Sequence, residues 1–200
     1  MITAKIGQGG KCIFDKIVRV FVRRGINPNI LTVIGLGING VAAYFFAAGY
    51  FRWAGLTIIL AAIFDLTDGP VARGSRRVTP FGGFLDSVLD RYSDFLLLVG
   101  LLVFYSRVDR FWYVLLVAVC MIGALMTSYT RARAESVIPS CKVAFLERPE
   151  RIVLLIIGAL FDRMAPVLWV MAVLSNLAVL HRVVHTYRQT QHFPARISHE

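Results

Sequence analysis

Five aspartates are concentrated in one short stretch of this chain. The protein contains eight Asp, and five of them lie between positions 65 and 94. Long apolar runs flank the stretch, so we expect these carboxylates at the edges of membrane-spanning helices. An uncompensated Asp costs roughly 2.5–3.5 kcal/mol at the centre of such a helix on insertion scales. A divalent cation is the simplest group that would compensate them. The five residues are Asp65, Asp68, Asp86, Asp90 and Asp94.

The spacing of these aspartates predicts two carboxylate stripes that face one another. Asp65 and Asp68 are three residues apart, whereas Asp86, Asp90 and Asp94 follow at intervals of four. Both spacings keep side chains on one face of a helix. Ligand sets made only of oxygen are typical of Mg²⁺ or Mn²⁺, and two such ions ~3.5–4 Å apart commonly assist displacement at phosphorus. The pattern therefore predicts a centre of two Mg²⁺ or Mn²⁺ ions.

Two other interpretations of the acidic cluster stay open at this point. The carboxylates would form salt bridges with nearby arginines and merely end the helices, or they would line a cation path in a small transporter or channel. The clustering of the carboxylates towards one end of the bundle argues against a path. Gly69 and Gly82 lack side chains where a phosphate would approach, and Arg73 would bind a phosphate bidentately.

The composition identifies the elements that position this cluster. The chain is 57% hydrophobic and 17% charged, and runs of about 20 apolar residues have the length that a bilayer core requires. We predict an all-α integral membrane protein, a single domain over 1-200, with six transmembrane helices. The predicted spans are 30–50, 53–72, 83–105, 111–133, 152–161 and 167–187. Glycines in the first span would allow a neighbouring helix to approach closely; they are Gly35, Gly37 and Gly40.

The charge distribution predicts how the chain sits in the membrane. Residues 10–24 combine an apolar face with flanking Lys and Arg, which predicts an N-terminal interfacial amphipathic helix within 1-27; a soluble helix packed on a partner is the alternative. The six-helix bundle follows over 28-188, and a polar tail over 189-200. With a cytoplasmic N-terminus, 18 of the 22 Lys and Arg lie inside. We therefore predict a multi-pass cell-membrane protein with both termini and the acidic cluster cytoplasmic, its +10 charge serving topology and anionic lipid or phosphate, with no nucleic acid.

From Asp65 to Asp90 the sequence reads D-x2-D-G-x2-A-R-x8-G-x3-D-x3-D. It matches every fixed position of the signature of the CDP-alcohol phosphotransferases, the family it resembles. The resemblance implies six transmembrane helices behind an interfacial helix, a homodimer, and transfer from CDP-diacylglycerol with release of CMP. It also implies that Asp65, Asp68, Asp86 and Asp90 bind the metal ions, Asp90 being the general base as well. The implied CDP-binding residues are Thr32, Asp68, Gly69, Ala72, Arg73 and Gly82. Pro70 fills a variable position and is expected to end the second helix early.

A second cluster of basic residues bears on the acceptor. Several guanidinium groups at the depth of the acidic cluster favour a phosphorylated acceptor over a neutral alcohol, although the positive-inside rule requires basic residues here as well. The basic residues lie in segments 128–135 and 145–151 and at Arg182. These segments resemble the phosphatidylinositol phosphate synthase branch of the family, which implies inositol 1-phosphate as the acceptor. The alternative is a phosphatidylglycerophosphate synthase that uses glycerol 3-phosphate. The predicted acceptor phosphate-binding residues are Ser128, Arg131, Arg133, Arg151 and Arg182.

Overall fold

The computed structural model describes residues 16, 18–141, 143 and 145–191. Helical backbone over 18–23 precedes six long helices, and no strand occurs among the described residues. Most of the predicted interfacial helix and the predicted tail after 191 lie outside the described residues. The helices are α1 (Pro28–Ala48), α2 (Phe51–Gly74), α3 (Pro80–Arg107), α4 (Phe111–Glu135), α5 (Arg148–Leu160) and α6 (Met164–Gln191).

Four of these helices are long and apolar enough to cross a membrane, namely α1, α2, α4 and α6. The other two differ for separate reasons. α3 has 28 residues, but it carries Asp86, Asp90, Arg91 and Asp94 between its start and its middle. α5 has only 13 residues, which correspond to about 20 Å of helix, less than the ~30 Å of a bilayer core. The all-helical membrane fold is confirmed, whereas six crossings stay a prediction.

The starts of α1 and α3 follow from local sequence. The side chain of Asn27 accepts a hydrogen bond from the backbone N–H of Asn29 at 3.1 Å, and the side chain of Thr79 accepts one from Gly82 at 3.0 Å. A proline follows each of these caps at the start of the helix. Proline is favoured there because its missing N–H would have no helical partner anyway. Both helix starts lie beside the acidic cluster, so the caps help to fix its surroundings.

Pro70 does not end the second helix, and that expectation was wrong. α2 continues through Pro70 to Gly74. A proline within a helix removes one backbone hydrogen bond, but the next residue, Val71, is fully buried. Packing of the Val71 side chain against neighbouring helices stabilises the last turns of α2. Arg73 therefore lies on the same helix as Asp68.

The helix contacts close a ring. α1 packs on α2 and α3, α2 packs on α5, α3 packs on α4, and α6 packs on both α4 and α5. At Gly100 a Cβ atom would collide with the backbone of Ala43, so glycine is required for α3 to lie this close to α1. At the end of the bundle that carries the acidic cluster, which we call the inner end, the helices consequently enclose two regions. One lies among α1–α3 and the other among α3–α6. The buried core between the helices includes Phe46, Ile58, Leu97, Val117 and Leu168.

Large aromatic side chains are exposed at the opposite ends of the helices from the acidic cluster. Trp53, Trp112 and Phe161 lie at or near the α1–α2, α3–α4 and α5–α6 connections, and all three are exposed. Trp and Tyr are enriched where a helix meets the membrane–water boundary. The acidic cluster and the aromatic residues thus lie at opposite ends of the bundle.

Candidate functional site

Three of the five aspartates are joined by one guanidinium. Arg148, at the start of α5, donates from Nη2 to Asp65 Oδ2 at 2.7 Å. Its Nη1 lies 2.9 Å from Asp90 Oδ1, and its Nε lies 3.4 Å from Asp94 Oδ1. The side chain therefore links α2, α3 and α5 at the inner end of the bundle. For these three aspartates the structure shows the salt bridges that one of the alternative interpretations anticipated.

Asp68 and Asp86 have different surroundings. Asp68 Oδ2 accepts a hydrogen bond from Thr32 Oγ1 at 3.0 Å, and its Oδ1 accepts one from the backbone N–H of Gly69 at 2.5 Å. Among the described residues, no Lys or Arg nitrogen lies within 4 Å of either carboxylate. Asp86 also lies close enough to Asp68 and Asp65 for their charges to repel. This part of the cluster has an excess of negative charge that a cation would relieve.

Gly35 is the glycine of α1 that makes room for the cluster. A Cβ atom at Gly35 would lie 2.6 Å from Asp65 Oδ1, whereas a Cβ at Gly37 or Gly40 would meet nothing within 4 Å. The carboxylate of Asp65 therefore lies against the backbone of α1. The close approach that the sequence predicted for this span applies at Gly35.

The aspartates fit a hard divalent cation by the chemistry of their donor atoms. Within the described ranges, no three His, Cys, Asp or Glu side chains form a closed metal cage, and the guanidinium of Arg148 contacts both Asp65 and Asp90. Four carboxylates from two adjacent helices nevertheless supply the all-oxygen ligands that Mg²⁺ and Mn²⁺ favour. A divalent ion that displaced Arg148 from Asp65 and Asp90 would keep these carboxylates next to a positive charge. The four are Asp65, Asp68, Asp86 and Asp90.

A cavity of about 250 Å³ opens among α1, α2 and α3; we call it the α1–α3 cavity. All six residues that the family resemblance implied for CDP binding line it, together with Asp86. A Cβ atom at Gly82 would crowd two residues that line the same cavity, because it would lie 3.1 Å from Thr79 Oγ1 and 3.2 Å from Asn29 Oδ1. The residues brought together here are Thr32, Asp68, Gly69, Ala72, Arg73 and Gly82.

A second cavity, of about 460 Å³, lies among α3, α4, α5 and α6; we call it the α3–α6 cavity. Asp90 and Arg148 line it, so the carboxylate cluster lies between the two cavities. Ser128, Arg131 and Arg182 line it as predicted, as does Arg151. Its charged lining comprises Arg91, Arg131, Arg148, Arg151 and Arg182 against Asp90, Asp94, Glu135 and Glu147.

Two arginines of the α3–α6 cavity are almost completely buried. Arg151 and Arg182 are each 3% exposed. Arg151 Nη2 lies 2.6 Å from Asp94 Oδ2, and its Nη1 donates to Thr127 Oγ1 at 3.2 Å. Arg182 Nη1 donates to the backbone oxygen of Thr127. The Nε of each arginine is buried and has no acceptor among the described residues. Both residues line the cavity, where their positive charge would attract an anion.

Glu147 is the more exposed counter-ion of this cavity. Its Oε1 lies 3.1 Å from Arg131 Nη1 and 3.6 Å from Arg182 Nη2. The side chains of Arg131 and Glu147 are 42% and 41% exposed. Glu135 pairs with Arg131 from the same helix, at 3.2 Å from its Nε. An incoming anion would compete with these carboxylates for Arg131.

Arg133 does not line the α3–α6 cavity. Residues two apart on a helix point about 200° apart, so Arg133 and Arg131 lie on different faces of α4. Arg133 Nη1 donates to Ser136 Oγ at 3.4 Å, and the side chain lines another groove with Tyr129, Tyr187 and Arg182. The assignment of Arg133 to the acceptor site stays a prediction.

Sequence reasoning missed three residues of the site. Arg148 was grouped with the basic residues, although it contacts three of the aspartates. Thr127 received no role, and nothing in its local sequence marks it, because its contacts depend on how α4 packs against α5 and α6. Glu147 likewise received none. The position of Asp94 on the stripe of Asp86 and Asp90 was visible, but its partner Arg151 was not.

Comparisons with known proteins place this geometry in context. A family model described as CDP-alcohol phosphatidyltransferase matches residues 26–188. Archaetidylinositol phosphate synthase of Pyrococcus horikoshii is 33% identical over 189 residues, covering 94% of this chain and 98% of the relative. Phosphatidylinositol phosphate synthase of Mycobacteroides abscessus is 33% identical over 181 residues, covering 86% and 82%.

Solved structures of one enzyme are also similar. The phosphatidylinositol phosphate synthase of Mycobacterium tuberculosis with CDP-DAG bound matches with a TM-score of 0.81 at 27% identity, over 88% of this chain and 94% of that one. The same enzyme in complex with manganese and citrate matches with a TM-score of 0.80 at 27% identity, over 87% and 88%.

Proposed function

Because this chain belongs to the CDP-alcohol phosphatidyltransferase family, we propose that it transfers the phosphatidyl group of CDP-diacylglycerol to inositol 1-phosphate and releases CMP. It is therefore an enzyme of phospholipid biosynthesis rather than a transporter or channel. The observation that carries the proposal is the position of the carboxylate cluster between two cavities. One cavity contains all the residues expected to bind CDP, and the other is lined by two buried arginines.

The α1–α3 cavity is the proposed donor site. Gly69, Ala72 and Gly82 leave space for the nucleotide and its pyrophosphate, and Arg73 offers a planar guanidinium suited to phosphate oxygens. Thr32 donates to Asp68 and so orients that carboxylate. The similar structure from M. tuberculosis that holds CDP-DAG supports this donor.

The α3–α6 cavity is the proposed acceptor site. Arg151 and Arg182, which line this cavity, would bind the acceptor phosphate through their guanidinium groups, with Ser128 and Arg131 completing the site. Relatives named for archaetidylinositol phosphate and phosphatidylinositol phosphate synthesis share the inositol phosphate part of their names and differ in the lipid part. This agreement favours inositol 1-phosphate over glycerol 3-phosphate as the acceptor.

Asp90 is the proposed general base. It lines the acceptor cavity and lies in the cluster that adjoins the donor cavity. Asp90 would take the proton of the acceptor hydroxyl while the hydroxyl oxygen attacks the lipid-side phosphorus. A new phosphorus–oxygen bond forms, and the bond from that phosphorus to the bridging oxygen breaks. CMP leaves with the electron pair of that bond.

We further propose that Asp65, Asp68, Asp86 and Asp90 hold two Mg²⁺ or Mn²⁺ ions. When bound, the ions polarise the pyrophosphate and neutralise charge on the leaving CMP. Two ions are proposed because Mg²⁺ is usually held by only one or two protein carboxylates. The related structure in complex with manganese supports the choice of ion.

For the membrane we propose six crossings, with both termini and both cavities on the cytoplasmic side. The inner ends of the helices carry the arginines of both cavities, as the positive-inside rule requires. α5 begins at the carboxylate cluster and ends beside the exposed Phe161 at the opposite end of the bundle. This placement supports a crossing, although the helix itself measures only about 20 Å. A homodimer stays a prediction, which cross-linking in native membranes would test.

The proposal is tested by measuring CMP release from CDP-diacylglycerol by the purified protein in lipid nanodiscs. Inositol 1-phosphate, glycerol 3-phosphate and free inositol are compared as acceptors. We expect release with inositol 1-phosphate, its loss on addition of EDTA, and its recovery with excess Mg²⁺ or Mn²⁺. Product with glycerol 3-phosphate alone would overturn the acceptor, and no release with any phosphorylated alcohol would overturn the reaction.

A further inference from the structure

Asp94 lies one turn beyond Asp90, the last residue of the family signature in this chain. Its side chain is only 8% exposed. It shares the helical face of Asp86 and Asp90, yet its partners are arginines of the α3–α6 cavity. Asp94 Oδ2 lies 2.6 Å from Arg151 Nη2, and Asp94 Oδ1 lies 3.4 Å from Arg148 Nε. The contacts of this aspartate therefore differ from those of Asp68 and Asp86.

The contacts of Arg151 show what Asp94 does. One end of the guanidinium is held by Asp94, and the other end donates to Thr127 Oγ1 at 3.2 Å and to the backbone oxygen of Leu146 at 3.3 Å. Only its Nε–H is left without an acceptor among the described residues. A buried guanidinium without a counter-ion is strongly unfavourable, and among the described residues Asp94 is the carboxylate that pairs with Arg151. Asp94 therefore both neutralises Arg151 and sets its orientation.

Thr127 extends this arrangement to the second buried arginine. Its hydroxyl accepts from Arg151, and its backbone oxygen accepts from Arg182. The hydroxyl also donates to Ala124 O at 2.9 Å, which fixes its rotamer within α4. Asp94, Arg151, Thr127 and Arg182 thus form one continuous buried chain of polar contacts across α3, α5, α4 and α6.

We infer that Asp94 is a positioning residue for the acceptor phosphate, which orients Arg151 and, through Thr127, supports Arg182. This inference rests on the proposed function only in that the acceptor carries a phosphate. Asp94 itself touches neither the metal centre nor the substrates in this assignment. It is distinct from the four aspartates assigned to metal binding.

Glu147 provides a matched comparison, because it lines the same cavity and carries the same charge. Its side chain is 41% exposed, and it contacts Arg131 and Arg182. Neutralising either carboxylate makes the cavity more positive by one charge. If charge alone mattered, both changes would tighten the binding of a phosphorylated acceptor. If Asp94 positions Arg151, the two changes have opposite effects.

The experiment compares Asp94→Asn with Glu147→Gln in nanodiscs and measures KM for the acceptor and for CDP-diacylglycerol separately. We expect Asp94→Asn to raise the acceptor KM on the order of 10-fold, since a charge-assisted contact is lost. The donor KM should stay within about twofold, because Asp94 does not line the α1–α3 cavity. A uniform loss of folded enzyme would change neither KM. Glu147→Gln should lower the acceptor KM or leave it unchanged. Shifts of the acceptor KM in the same direction for both variants, or an equal rise in the donor KM, would overturn the inference.

Further variants keep the test decisive. Asp94→Glu retains the charge and should recover part of the lost acceptor affinity. Should Asp94→Asn not fold, as judged by thermal unfolding, Thr127→Val removes the hydroxyl partner of Arg151 while keeping its shape. An unchanged acceptor KM in Thr127→Val would then overturn the inference.

Failure of the proposed function is recognised separately from failure of this inference. Wild-type turnover with another phosphorylated alcohol would overturn the inositol assignment, and the same variants would be compared with that acceptor. If the wild type shows no turnover, calorimetric binding of inositol 1-phosphate and of inorganic phosphate decides. Weaker binding in Asp94→Asn than in the wild type supports the inference, and equal or absent binding in both overturns it.

Discussion

The two cavities on either side of the carboxylate cluster are built from different kinds of residues. The α1–α3 cavity is bounded by small residues such as Gly69, Ala72 and Gly82 beside a few charged ones. The α3–α6 cavity is bounded mainly by charged side chains, including the buried Arg151, which is paired with Asp94. On the proposed function, space therefore contributes more to ligand selection in the first cavity, and charge contributes more in the second.

α3 contributes to both cavities through one helical face. Asp86 lies towards the α1–α3 cavity, Asp94 lies towards the α3–α6 cavity, and Asp90 lies between them. The order of these aspartates along α3 thus follows the order of the sites across the bundle. Substitution of Asp90, which lies between the two cavities, should lower kcat. Substitutions within one cavity should mainly change the binding of the substrate proposed for that cavity.

The largest loss of activity is expected at Asp90, between the two cavities. Asp90→Asn should lower kcat for CMP release by roughly 10²–10⁴-fold, the usual range for removing a general base. The measurement is the initial rate at saturating donor and acceptor. Asp109→Asn is the matched control, because Asp109 is exposed in the α3–α4 connection and should be without effect. Activity of Asp90→Asn close to that of the wild type would show that the cluster does not lie at the reaction centre.

An intermediate effect is expected on the α1–α3 side. Gly35→Ala places a Cβ 2.6 Å from Asp65 Oδ1, so Asp65 must move. A misplacement of about 1 Å costs on the order of 10²-fold in activity, and Mn²⁺ affinity measured by electron paramagnetic resonance should fall as well. The Cβ added by Gly37→Ala on the same helix meets nothing within 4 Å. This variant should have the activity and the Mn²⁺ affinity of the wild type. Equal behaviour of the two variants would contradict the close packing at Asp65.

The smallest effect is expected at the exposed edge of the α3–α6 cavity. Arg131→Gln should raise the acceptor KM only a few-fold, roughly the weight of a partly exposed ion pair. Arg133→Gln removes the same charge two residues away but outside the cavity, and the acceptor KM should not change. Steady-state rates at varied acceptor concentration distinguish the two. If Arg133→Gln had the larger effect, Arg133 rather than Arg131 would contact the acceptor.

The family, the helical membrane fold and the carboxylate stripes could be predicted from the sequence. These depend on local properties: apolar runs form helices in a bilayer, and spacings of three and four place Asp65 with Asp68 and Asp86 with Asp90 on single faces. The residues expected to bind CDP lie together for a related reason, since most of them belong to one helix–turn–helix segment between Asp68 and Gly82.

Which distant residues meet depends on the packing of the helices. Arg148 contacts Asp65 across 83 positions of the chain, because α2 packs on α5 when the helix ring closes. The closed ring also brings Arg151 to Asp94. Local spacing specifies the face on which a side chain lies. The neighbour that the face meets depends on packing between helices far apart in sequence.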